Sequence, residues 1–173
     1  MNLEHINAWP EDEARESFER CCGSTRWCRR MARRRPFASE AALFEAALQI
    51  WWGLARVDWL EAFAAHPKIG DMDALRTRFA TTADWAALEQ RGSLGAPEEV
   101  LRELAEGNRR YEERFGHIFI VFATGKTAHE MLSLLGRRLA NDAEDEIRIA
   151  AAEQAKITRL RLERIVPLER IAP

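Results

Sequence analysis

His66-Pro67-Lys68-Ile69-Gly70 is the segment of this chain best suited to proton transfer. It follows Val57 to Ala65, whose pattern predicts an amphipathic helix, and it stops that helix. Proline lacks a backbone donor and disfavours helical geometry in the residue before it, and Gly70 permits a sharp change of direction. An imidazole on such a stiff turn can stand at the rim of a cavity and titrate near neutrality. A histidine at a helix end can equally be a structural cap. Two other features offer chemistry to go with it. Glu89-Gln90, at the end of a short predicted helix before Gly92, sets a carboxylate beside an amide that both donates and accepts; alone, the dipeptide also fits a plain surface. Arg161 falls with Ile147, Ala150, Gln154 and Ile157 at three- and four-residue steps, on the stripe expected to face a core. A guanidinium there needs a protein carboxylate or an anionic ligand held by paired hydrogen bonds.

Other reactive side chains form weaker patterns. Cys21, Cys22 and Cys28 are an odd set. A zinc site would want a second pair or histidines at matching spacing, and His5, His66, His117 and His129 are scattered, so reduced, partly buried thiols are the expectation and no metal is assigned. His117 and His129 have no comparable context and are expected at the periphery. Lys126 after Gly125 lacks the glycine spacing of a phosphate loop. Arg26, Arg29, Arg30, Arg33, Arg34 and Arg35 invite a nucleic-acid reading as a basic helix after a break. Trp27, Met31 and Phe37 suggest instead that one side packs and the arginines form a solvated face.

The elements that must position these groups read as helices. The chain has 173 residues, 47% hydrophobic and 31% charged, enough for one domain with a real core and unlike a disordered segment. Ala, Leu, Glu and Arg dominate, which favours helix. A net charge of −2 gives no global pull towards nucleic acid or acidic membrane. No apolar run is long enough to span a bilayer, the N-terminus has no signal-peptide pattern and the C-terminus no peroxisomal one, so a cytoplasmic location is expected. Pro10-Glu11-Asp12-Glu13 opens a helix with proline in its first turn. A second is predicted from Arg26 to Arg34. Ser39 caps a third, with Leu43, Phe44, Ala47, Leu48 and Trp51 on one face. Short helices are expected over 71–79 and 84–90, and longer ones from Ala96 to about Arg114, after Thr127, and from about Ala143 to Ile165. Thr127 and Glu130 have capping-box spacing. Phe119-Ile120-Val121-Phe122-Ala123 is either a buried strand or an irregular segment. The reading is a single all-α, bundle-like domain over 1–173.

Several of these pieces, taken in order, resemble one family. Trp59 to Gly70, Glu89-Gln90, Tyr111 to Gly116, Phe119 to Ala123, Gly125-Lys126, Arg138 to Asn141 and Lys156 to Leu162 are similar in sequence and spacing to the 2-oxo-4-hydroxy-4-carboxy-5-ureidoimidazoline (OHCU) decarboxylases of ureide-forming purine breakdown. The likeness runs from Arg35-Pro36-Phe37 onward. It implies an all-α, cofactor-free and usually dimeric enzyme that yields (S)-allantoin and carbon dioxide, linked in function to urate oxidase and hydroxyisourate hydrolase. It also implies that His66 is the proton donor or acid/base, and that Glu89 orients the imidazole or binds the substrate hydroxyl. Gln90 would read ureido or ring amide groups, and Arg161 would pair with an anionic or carbonyl oxygen. Pro67, the stretch Ala86-Ala87-Leu88 and the backbone from Phe119 through Ile120, Val121 and Phe122 to Ala123 would line the pocket. The family commonly carries serine three residues before the glutamate, where this chain has Ala86. That departure removes about 0.5–1.5 kcal/mol of one neutral hydrogen bond or marks a related ureido or imidazoline acid as substrate. The reading from another class is a non-enzymatic helical module that binds through residues 26–35.

Overall fold

The computed structural model describes residues 3–66 and 98–165. Among these residues the regular elements are all α-helices, as expected. They are α1 (Leu3–Ala8), α2 (Glu11–Glu19), α3 (Thr25–Arg34), α4 (Glu40–Trp52), α5 (Arg56–Ala64), α6 (Glu98–Phe115), α7 (Ala128–Arg138) and α8 (Ala143–Ile165). The helices expected over 71–79 and 84–90 lie outside the described residues, as do Pro67, Ala86, Ala87, Leu88, Glu89 and Gln90. The chain divides into two units, one of residues up to His66 together with those from Ala151, the other of Pro67 to Ala150.

In the first unit the helix starts follow the local chemistry. The Ser24 and Ser39 hydroxyls accept from the backbone N–H of Trp27 and Ala42 and cap α3 and α4. Pro10 is the residue preceding α2 rather than part of its first turn, and α1, too short to show a periodicity, was not foreseen. The core is aromatic: Phe18 meets Trp9 and Trp27 edge to face, with ring centroids 6.4 and 5.9 Å apart. Burying indoles requires partners for their N–H groups. Trp27 Nε1 donates to Ala47 O at 3.1 Å and Trp51 Nε1 to Ala151 O at 2.9 Å, which ties α3 to α4 and α4 to α8. Leu43, Phe44, Ala47 and Trp51 are buried as predicted, but Leu48 is 41% exposed. It lies a full helical step beyond Ala47, past the edge of the packed face.

In the second unit α6 and α7 enclose Leu101, Leu104, Tyr111, Phe119, Met131 and Leu135. The predicted capping box forms at α7, with Thr127 N donating to Glu130 Oε2 at 2.8 Å and Glu130 N to Thr127 Oγ1 at 3.3 Å. Gly116 ends α6 at φ +72°, a conformation that costs other residues more. Residues 118–123 then form neither helix nor strand, which decides for the irregular segment. His117, expected at the periphery, is buried, with its ring against Tyr111 and Phe115. His129 is exposed, as expected.

Candidate functional site

The position of His66 is set by α5, and α5 is tied to the start of α3 by two carboxylates. Asp58 accepts from Ala55 N at 3.1 Å, closing the first turn of α5, and pairs with Arg26 at 3.1 Å. Glu61 accepts from Thr25 N at 3.1 Å and from Thr25 Oγ1 at 2.6 Å. The helix ends at Ala64, and His66 N donates back to Phe63 O at 3.1 Å, so the imidazole leaves from a closed final turn. Gly23 sets the same place from the other side. A Cβ on Gly23 would stand 2.3 Å from the Ala65 Cβ, one residue before His66. Since the obstacle sits on the backbone of the turn, Gly23→Ala is expected to displace it, costing about 1–3 kcal/mol of stability as overpacking does. Urea unfolding measures that loss, and unchanged stability would show that the approach of Gly23 does not constrain the turn.

Half-buried His66 meets two groups from α8. Its Nε2 lies 2.6 Å from Gln154 Oε1, and Gln154 Nε2 donates to Thr158 Oγ1 at 3.2 Å. Burial pushes the imidazole below its ordinary pKa; the Gln154 hydrogen bond works against this, and the nearby Arg161 charge adds to it. His66 is therefore neutral at pH 7 and able to accept a proton. Arg161 is partly buried, and its Nη1 donates to Cys21 O at 3.4 Å. Among the described residues it therefore bonds a backbone carbonyl and not a carboxylate. Desolvation raises Cys21 to about 12 and Cys22 to about 11, and all three cysteines are buried free thiols. Among the described residues no group of His, Cys, Asp and Glu is arranged to hold a metal.

Two predicted site residues, His66 and Arg161, thus come together in the first unit. Phe119, Ile120 and Val121 of the second unit are buried, Phe122 and Ala123 partly so. Their backbone is held by Arg138, whose Nη1 donates to Ile120 O at 2.7 Å and whose guanidinium lies 4.6 Å from the Phe119 ring centre. Arg138 is itself paired with fully buried Glu146 at 2.6 Å, and Tyr111 and Asn141 also donate to that carboxylate. Burial raises the Tyr111 pKa, so the phenol stays a donor.

Sequence reasoning placed Gln154 on the α8 stripe but gave it no role. The signal was there: a buried primary amide needs partners, and Thr158 stands one turn later. The buried line of α8 in fact passes through Ile147, Ala150, Gln154, Thr158 and Leu162, with Ile157 half-exposed beside it. The arginine-rich stretch packs on one side and is neutralised only in part on the other, Arg26 by Asp58 and Arg33 by Glu11. Trp27, Cys28, Met31 and Phe37 are buried. Arg33 lies 3.5 Å from Glu11, and Arg35 Nη1 donates to Ile6 O at 2.9 Å. Arg26, Arg29, Arg30 and Arg33 line a cleft of about 430 Å³, but Asp58 and Glu61 line it too.

The sequence model of the OHCU decarboxylase family matches residues 7–163, nearly the whole chain. The chain belongs to that family. Its relatives include the uric acid degradation bifunctional protein TTL of Arabidopsis thaliana, 38% identical over 154 residues that make up 87% of this chain and 46% of that protein. This chain therefore spans about half the length of that relative. A 2-oxo-4-hydroxy-4-carboxy-5-ureidoimidazoline decarboxylase of Amia calva is 29% identical, with 96% of this chain and 95% of that protein aligned. A crystal structure of an OHCU decarboxylase in the presence of (S)-allantoin is 35% identical, with a TM-score of 0.71 over 91% of this chain and 98% of that one.

Proposed function

We propose that this protein decarboxylates OHCU to (S)-allantoin in urate breakdown, without a cofactor. The observation that carries the reading is a half-buried imidazole, hydrogen-bonded through one nitrogen and set near an arginine, in a chain of this family. The chemistry asks for little more. Loss of carbon dioxide leaves an electron pair, and the conjugated imine of the imidazoline ring receives it, so no external electron sink is needed. The protein has to hold the carboxylate out of the ring plane, stabilise developing charge and deliver a proton to one face. His66 supplies the proton transfer and Arg161 the positive charge. Glu89 orients the imidazole or binds the hydroxyl, and Gln90 reads the amide groups. The family resemblance also assigns substrate binding to Pro67, Ala86, Ala87, Leu88 and the Phe119–Ala123 backbone.

The reading extends to one OHCU-decarboxylase-like domain over 1–173, supported by a family match that runs through both units. It includes a cytoplasmic homodimer acting after urate oxidase and hydroxyisourate hydrolase. Exposed Leu48, Trp52 and Val57 on α4 and α5 support a dimer. Among the described residues no helix is long and apolar enough to cross a membrane.

The test is circular dichroism during allantoin formation, with OHCU generated in place from urate by the two upstream enzymes. Spontaneous decay gives racemic product, so rapid appearance of one enantiomer is the expected result. A signal no faster than spontaneous decay would overturn OHCU as substrate and direct attention, through Ala86, to a related ureido or imidazoline acid.

A further inference from the structure

We propose that Gln154 is a positioning residue that holds neutral His66 as the Nε2–H tautomer, leaving Nδ1 as the nitrogen that exchanges protons with substrate. The tautomer rests on geometry alone; the role given to Nδ1 rests on the function proposed above. A primary amide has one accepting and one donating end, and Gln154 is fully buried, so each end needs the right partner. Its NH2 group donates to Thr158 Oγ1 at 3.2 Å, which turns Oε1 to His66 Nε2 at 2.6 Å. The reverse orientation would need the Thr158 proton to point at Gln154. Thr158 also stands beside the Cys22 thiol. Cys22 in turn accepts, through its backbone oxygen, from Cys28 Sγ at 3.1 Å. A chain of buried groups from Cys22 through Thr158 and Gln154 thus ends on one ring nitrogen. Among the described residues Nδ1 has no hydrogen-bond partner.

In a neutral imidazole an Nε2–H forces the lone pair onto Nδ1. As the carbon–carbon bond to the carboxylate breaks, its electron pair enters the imine, whose nitrogen takes a proton from water. Nδ1 then accepts the substrate hydroxyl proton as that oxygen becomes a carbonyl. The resulting imidazolium returns the proton from Nδ1 to the ring carbon, and protons balance. Throughout, Nε2–H keeps its bond to Gln154, so the ring cannot turn while the proton is carried.

The experiment is long-range proton–nitrogen correlation NMR on the ligand-free full chain with labelled histidine, at a pH above the His66 titration, with the His66 signal assigned by its loss in His66→Gln. The expected pattern is protonated Nε2 and bare Nδ1. In Gln154→Leu the pattern shifts towards a mixture, and kcat falls about 10–100-fold, as with other lost orienting partners, while KM changes little. Gln154→Glu keeps an acceptor in place, restores the Nε2–H pattern and moves the pH profile upward, because a carboxylate favours imidazolium. Protonated Nδ1 in the unaltered protein, or an unchanged pattern in Gln154→Leu, would overturn the inference. Because the tautomer is read without substrate, a protein that shows it but fails to process OHCU refutes the proposed function and leaves the assignment of Gln154 standing.

Discussion

His66→Ala is expected to lower decarboxylation by about 10²–10⁴-fold, the reach of a lost acid–base group, with little effect on folding. The side chain is half-buried and hydrogen-bonds only Gln154 among the described residues, so its removal leaves one amide oxygen unpaired. Turnover with authentic OHCU measures the loss, and full activity in this variant would remove His66 from the mechanism. The pH profile carries a second test. Burial and Arg161 both push His66 down, with Gln154 as the opposing contact, so the neutral, proton-accepting form persists below pH 6.5. The acid limb of kcat/KM should therefore titrate below 6.5 and vanish with the imidazole. The sign for stability follows. The folded state resists protonation of His66, so its contribution is complete above the unfolded pKa and is lost as pH falls through the lower folded one.

Glu146→Ala is expected to be the most damaging substitution to stability. The carboxylate is fully buried and receives Arg138, Tyr111 and Asn141. Its removal strands the Arg138 charge, and breaking a buried pair from one side costs about 3–5 kcal/mol. For a chain of this size that lowers Tm by about 6–20 °C. Replacing both charges, Arg138→Met with Glu146→Leu, should cost less than Glu146→Ala alone, because no buried ion is left unpaired. Thermal unfolding of the three proteins decides it, and a Tm for Glu146→Ala close to that of the parent would mean the pair contributes little. Arg138 also holds the Ile120 carbonyl, so the single variant should loosen the 118–123 segment as well.

Much of this architecture could be read from local chemistry. Ser39, Thr127 and Glu130 announce helix starts because their side chains satisfy backbone donors within three residues, a range that sequence displays directly. The end of α5 before Pro67 follows from proline sterics, and Arg161 was suspect because a cation interrupts an apolar stripe. What escaped depends on distance along the chain. Nothing local links Tyr111 to Glu146, 35 residues on, or Gln154 to His66, 88 residues back. Nothing local announces the role of Gly23, since the close pass of Ala65 is a tertiary fact. His117 looked peripheral because its burial comes from ring packing with Tyr111 and Phe115 after a glycine turn. The acidic half of the candidate site, Glu89 with Gln90, lies outside the described residues.

The buried cysteines have a practical consequence. Thiol reagents attack thiolate, and at Cys21 and Cys22 that form is scarce while the sulfurs are sealed from solvent. Modification must then wait for the structure to open. Cys21 lends its carbonyl to Arg161, and Cys22 touches Thr158, so the openings that expose these sulfurs are the ones that dismantle the surroundings of His66. The speed of thiol labelling is thus a built-in clock for how often this protein lets go of the groups that hold His66.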